Sequence, residues 1–233
     1  MHQYINDCAA YAATCAVAID PSKVPLPNKP GDYRTSDVLQ AFDTGFFAKC
    51  YLTEHLHGSS YEMDVDHFVP VNQNLALKYE WANLFPAAHK ANMMRPRGWP
   101  AGGLLDPCND QVETRLLATI GPLGRDPRFE AADPTDQAAS NTAELLNLLH
   151  NGKVGDEVSR QNTKHLRVTI MEQYDRVMRA IQKFLAAQNG SNPQVLANAR
   201  RQLGDLLSRR APFTQLMRSM EAVIEFVPTD LLD

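Results

Sequence analysis

From residue 136 onwards apolar positions recur three and four residues apart, the period of helices with one buried face. "SNTAELLNLLH" (140–150) predicts one amphipathic helix. Ile170, Tyr174, Val177, Met178, Ile181 and Leu185 mark a second across 158–186. "NGSNP" breaks that helix, with Gly190 as the expected C-cap, and further helices are expected at about 193–209 and 213–226. Their stripes (Val195, Leu196, Leu203, Leu206; Phe213, Leu216, Met217, Met220, Ile224) read as core.

The first half is patterned differently. "YINDCAAYAATCAVAI" predicts a buried or partner-facing helix, and residues 20–35, with four prolines, an extended linker. Thr35 or Ser36 can cap a helix through "DVLQAFDTGFF", where Val38, Leu39, Phe42 and Phe46 fall at helical spacing. "KCYLTE" is a short β-prone piece, and "EMDVDHFVPV" (62–71) alternates like a second strand. Residues 75–82 are ambiguous, and "NLFPAAHKANMMR" predicts a helix with Pro86 in its first turn. Residues 96–135 are rich in Pro, Gly and Asp, with one short strand expected at "ETRLLATIG".

Composition narrows the function classes. A net charge of -4 excludes nucleic-acid binding by bulk electrostatics, so any such contact needs a local patch or a basic partner. Cys8, Cys15, Cys50 and Cys108 form no CxxC pair, and the N-terminal apolar run is too short to span a bilayer and lacks a preceding basic residue. The expectation is a cytoplasmic chain with reduced thiols and no membrane association. Cys108 is expected to be buried, and the Arg-rich "RRQLGDLLSRR" to be a solvated helix face rather than a surface for nucleic acid or an acidic partner.

The chemistry concentrates around "DVDH". Asp66 and His67 end the predicted strand, and the following helix offers Asn83, His89 and Asn92. Asn92 follows Asn83 by nine residues, a little over two turns, so a helix laid across the hairpin can present one polar residue to Asp66. Asp and Asn oxygens suit Mg²⁺, which keeps several waters and binds few protein groups. A neutral His67 beside such an ion can deprotonate water, and the ion can stabilise charge on a phosphate. That is the apparatus of one-metal phosphodiester hydrolysis.

"DVDHFVP" followed by "YEWANLFPAAHKANMMR" resembles the HNH endonuclease motif. "YRTSDVLQAFDTGFFAKCYLTE", "GGLLDPCND" and "SNTAELLNLLH" are similar to segments flanking that motif in HNH proteins encoded beside an ATPase in Septu and retron anti-phage systems. The resemblance covers roughly residues 33–150. It implies an α+β, mainly α, chain in which a ββα-metal hairpin–helix module is embedded. Residues 1–45 would be the N-terminal helix, linker and lead-in helix, 46–100 the module, and 101–233 an irregular segment and a helical region.

The resemblance makes His67 the general base, Asp66 and Asn92 the ligands of Mg²⁺ or Mn²⁺ (His89 being the other candidate for the second ligand), and Asn83 the residue holding the His67 loop. Asp64 has no fixed place in the pattern and would orient His67 or lie behind the ligands; Lys90, Arg95 and Arg97 would lie near the scissile phosphate. It further implies an ATPase partner, which the linker and helical tail would dock, and a DNA substrate. RNA cleavage by the same site, for instance of a transfer RNA, and a non-catalytic partner-binding subunit are the alternatives. Many relatives carry a structural zinc on two CxxC pairs. Here Cys50 stands without a second cysteine at Thr53, and Ala88 and Ala91 occupy the other pair, so no zinc is expected. Phe68, Trp81, Leu84 and Phe85 are expected to hold the hairpin to its helix instead. His55 and His57 are expected in the hairpin turn, and His89 on an exposed helix face.

Overall fold

Small residues favour helix in "CAAYAATCAV", and the computed structural model, which describes residues 2–27 and 31–232, has α1 at His2–Val17. Cys8 is buried, whereas Val17 and Ile19 are exposed, so only one face of α1 is covered. The linker is described at 20–27 and 31–35 and holds a single turn of 3₁₀ helix; its residues 28–30 lie outside the described residues. Arg34 closes it by donating to the carbonyls of Tyr61 and Met63, both at 2.9 Å.

α2 (Ser36–Gly45) then packs Leu39 and Phe42 against Val65 and Leu84. The hairpin differs from expectation. "KCYLTE" forms a turn with one isolated bridge, Lys49 to Leu56. The strand β1 (Asp64–His67) pairs antiparallel with β2 (Leu84–Ala87), which the sequence read as helix. Leu, Ala and Met do favour helix, but Pro86 has no N–H and is tolerated in a strand only where no ladder bond is needed. Here it faces Val65, and its carbonyl accepts from Tyr51 N–H at 2.9 Å outside the ribbon. Alternation along β1 sends Val65 into the α2 cluster and Asp64 and Asp66 to the other face.

α3 (His89–Met94) begins immediately after β2. Phe68, Leu84 and Phe85 are buried around the ribbon as expected, with Phe85 ringed by Phe46, Tyr51 and Phe68 at 4.9–5.7 Å. Trp81 is half-exposed and stacks on Phe42 at 5.4 Å instead of joining them.

The apparent irregular stretch 96–135 holds a short helix α4 (Val112–Arg115) and a second antiparallel ribbon, β3 (Leu116–Gly121) with β4 (Arg125–Ala131). Arg115 grips Asp136 through two bonds of 2.8 and 2.9 Å, and Asp136 in turn caps α5 (Gln137–Asn151) at Ala139 N–H. That guanidinium holds the Asp136 carboxyl down at about 2. Cys108, expected to be buried, is exposed.

α6 (Glu157–Asn162) and α7 (Lys164–Gln188) replace the single helix expected over 158–186, and α8 (Pro193–Leu207) is capped by Asn192 with Pro193 in its first turn. α9 (Thr214–Arg218) and α10 (Glu221–Phe226) close the chain. These helices and the second ribbon share one core, including Ile170, Val177, Phe184, Leu203, Leu207, Phe213 and Met217. Each such side chain contributes about 1.5–3 kcal/mol of burial. Among the described residues no helix is long and apolar enough to cross a membrane.

The helical region reaches into the first half rather than trailing from it. Leu145 and Leu149 of α5 share a cluster with Cys50, Leu52, Met63 and Ala91. Ala88 packs against the same cluster. Buried Lys49 reaches the Ala211 carbonyl at 3.1 Å and Thr214 Oγ1 at 3.3 Å, and the Glu54 carboxylate accepts from Gln215 N–H at 2.9 Å. The frame of the hairpin is therefore shared between distant parts of the sequence.

Candidate active site

The helix that follows β2 enters the ribbon beside Asp64, because β2 ends at Ala87 and Ala87 pairs with Asp64. Positions 89, 92 and 95 then recur every three residues and climb the ribbon from Asp64 toward Asp66. The result is an open cleft of about 580 Å³ whose polar lining includes Asp64, Asp66, His67, His89, Asn92 and Arg97.

One oxygen of Asp64 gathers two partners: Oδ2 lies 2.9 Å from His89 Nδ1 and accepts from Asn92 Nδ2 at 3.0 Å. Asn92, expected to meet Asp66, is thus hydrogen-bonded to Asp64, and the residue of uncertain role moves to the centre. His89 is exposed, as expected of it, yet engaged. Asp66 is only 12% exposed, and its Oδ2 accepts from the Tyr51 hydroxyl at 2.6 Å and from Arg95 Nη1. Burial and the Asp66 charge push the Tyr51 hydroxyl well above its ordinary value, so it remains a donor.

Arg95 corrects the expectation of a phosphate contact. Its side chain turns inward, 6% exposed, and is consumed by Asp66, Tyr51 and the carbonyls of His67 and Phe68. The helix face dictates this: one turn beyond Asn92, the residue at 95 meets the buried carboxylate, and a buried carboxylate needs a cation beside it. Arg97 keeps an exposed position on the cleft rim, while Lys90 lines a different cavity.

His67 ends β1 beside Tyr33, ring centroids 4.8 Å apart. Its Nε2 sits 2.9 Å from the Lys78 carbonyl oxygen. A carbonyl only accepts, so Nε2 carries the proton and Nδ1 of the neutral ring keeps the basic lone pair. Burial lowers the His67 pKa, outweighing the opposing pull of that carbonyl and of Asp66, and the ring is neutral at pH 7.

Asn83 precedes β2 in a tight turn instead of opening a helix. Buried, it accepts from Val69 N–H at 2.7 Å and donates to the carbonyls of Val69 and Leu77, each at 3.1 Å. It ties together both ends of the loop that brings Lys78 to His67.

Among the described residues, no three of His, Cys, Asp and Glu already form a metal-holding group. By donor chemistry the side chains suit a hard divalent ion that retains its waters: the carboxylates of Asp64 and Asp66 share one strand face, and the Asn92 amide, whose Nδ2 donates to Asp64 here, carries an oxygen as well. They do not fit a thiolate or all-imidazole site. Tyr51, Tyr33 and Lys78 were not found from sequence, because none lies at a fixed spacing from "DH".

Across α3 lies a second cavity of about 300 Å³, lined by His55, His57, His165 and Lys90 among others. His55 and His57, expected in the hairpin turn, sit here with ring centroids 4.8 Å apart. Burial, then the neighbouring His57 and His165, lowers His55 to about 4.

Comparison with protein-family models, with curated proteins and with solved structures gives no match.

Proposed function

We propose that this chain is a metal-dependent endonuclease of the HNH kind, hydrolysing phosphodiester bonds in the cleft between β1 and α3. The observation that carries the reading is the convergence of Asp64, Asp66, His67 and Asn92, from one strand and the helix after its partner strand, on one open cleft. The motif words "DVDHFVP" and "NLFPAAHKANMMR", which frame those elements, support it further.

Asp64, Asp66 and Asn92 would hold Mg²⁺ or Mn²⁺, which supplies stabilisation of the charge developing on the phosphate and the departing oxygen. His67, held neutral by burial and oriented by Lys78, takes the proton of the attacking water at Nδ1. Asn83 keeps that loop in place, and exposed Arg97 and His89 meet the backbone of the substrate at the cleft mouth. DNA is the proposed substrate and an ATPase of an anti-phage system the proposed partner. Val17, Ile19 and Leu26, exposed around the N-terminal linker, are where we place its docking.

The test is incubation of the purified chain, alone and with whatever ATPase a search of its gene neighbourhood yields, with plasmid DNA and with total RNA. Cleavage that appears with Mg²⁺ or Mn²⁺ and disappears with EDTA is expected. Cleavage indifferent to EDTA, or none under any of these conditions, contradicts the proposal; cleavage of RNA alone moves the substrate and keeps the site.

A further inference from the structure

Arg95 is the first residue past α3, and its guanidinium is nearly inaccessible, at 6% exposure. A guanidinium this buried, at the wall of the cleft with little more than its edge accessible, has to be explained by what it holds. Nη1 is shared among Asp66 Oδ2, the Tyr51 hydroxyl at 2.8 Å and the His67 carbonyl at 3.1 Å, while Nη2 donates to the Phe68 carbonyl. Three of these four acceptors belong to the consecutive residues 66–68, at the end of β1. The fourth, Tyr51, itself donates to Asp66 at 2.6 Å.

The other end of the group is equally fixed. Arg95 N–H bonds the Ala91 carbonyl at 3.0 Å, so the residue is continuous with the helix turn carrying Asn92. One side chain therefore joins the end of the strand bearing the base to the end of the helix bearing the cation-side residues. The planar fork is what permits this, since an ammonium group cannot address a carboxylate and two carbonyls in one plane.

We propose that Arg95 is a positioning residue, a clasp that fixes the His67 imidazole relative to Asp64 and Asn92; it rests on the nuclease reading above. Arg95 touches no substrate in this account. It acts through the backbone of His67 and Phe68, whose displacement would also pull His67 Nε2 from the Lys78 carbonyl.

Two variants of the full chain test it, Arg95→Lys, which keeps the charge beside Asp66, and Arg95→Met, which removes it. The first readout needs neither metal nor substrate: the ¹⁵N resonances of the His67 ring, which in the wild type are expected to separate into one protonated and one bare nitrogen because Nε2 faces the Lys78 carbonyl. Arg95→Met is expected to collapse that separation and Arg95→Lys to reduce it. The second is cleavage at saturating Mg²⁺, where a displacement on the order of 1 Å lowers kcat about 10²-fold with KM little changed. A merely structural role would lower the melting temperature and leave both the His67 pattern and kcat of the folded fraction in place. Wild-type ¹⁵N patterns in both variants overturn the proposal, even if Arg95→Met is too unstable for kinetics, since Arg95→Lys then decides. A wild-type chain that cleaves nothing overturns the nuclease reading instead, and the ¹⁵N pattern still decides the clasp.

Discussion

His67 Nε2 rests 2.9 Å from the carbonyl oxygen of Lys78, eleven residues further along the chain. That one contact decides which nitrogen of the ring is basic, and it exists because Asn83 pins the intervening loop by both ends.

The pH dependence follows from His67. Its pKa is lowered from the ordinary 6.5, chiefly by burial, so the neutral, basic form persists to lower pH than for a free imidazole. Activity should be flat through neutrality and fall only on the acid side, with the ascending limb of kcat/KM below pH 6.5. An ascending limb above that value contradicts the assignment of His67 as base.

Asn83→Ala should leave the Val69 carbonyl and N–H without their partner in a buried turn and the Leu77 carbonyl with only Glu80 N–H. The cost is about 1–3 kcal/mol, read as a lower midpoint in urea unfolding. Because the same turn presents Lys78, cleavage should drop by more than the loss of folded protein explains.

Cation binding should depend more on Asp64 than the sequence alone suggests. Asp66 is already paired with Arg95 and Tyr51, whereas among the described residues the side-chain partners of Asp64 are His89 and Asn92. Asp64→Asn is expected to weaken Mn²⁺ binding, measured by calorimetry, about 10-fold or more, a loss of roughly 1.4 kcal/mol. Unchanged affinity would remove Asp64 from the site.

Stability should decline on acidification between about pH 6.5 and 4. His55 and His150 are both held neutral, each lowered to about 4, so the unfolded chain takes up protons that the folded chain refuses. Stability is complete above the unfolded value of 6.5 and is lost as pH falls toward the folded one. Replacing His150, which is fully buried and bonded to the Leu146 carbonyl at 2.8 Å, by Leu should flatten the slope by up to about 1.4 kcal/mol per pH unit. Urea titrations at several pH values check this.

Leu149→Ala should test whether packing against α5 holds the first half of the chain in place. Leu149 is buried against Cys50, Met63 and Ala91, and its truncation should cost about 2–5 kcal/mol. A wild-type unfolding midpoint would show that the hairpin is held by something else.

The helices of the second half were legible because a period of three and four with apolar stripes has few other solutions; Val177, Ile181, Leu203 and Met217 lie in the core as read, whereas Val195 and Ile224, read as core, are exposed because each sits on the helix face turned away from it. β2 was not, because "LFPA" is strand only through its pairing with "DVDH", and helix-favouring neighbours conceal a partner about twenty residues away. The register set by that pairing also decided which aspartate meets Asn92, which spacing alone leaves open. His67, Asn83 and Asn92 were singled out by the sequence; His67 and Asn92 line the cleft, while Asn83 is buried in the turn behind it. Arg95 and Tyr51 were not recognisable in their roles, since a buried clasp is defined by which carbonyls lie opposite and not by any local pattern. The β3–β4 ribbon was half seen, its second strand hidden among Pro, Gly and Asp.

The central claim is that His67 activates the attacking water at a divalent-ion site. Single-turnover cleavage by wild type and His67→Ala, both saturated with Mg²⁺, tests it most directly. The account predicts a rate loss of about 10²–10⁴-fold with Mn²⁺ affinity and melting temperature little changed. Cleavage by His67→Ala at the wild-type rate would contradict it.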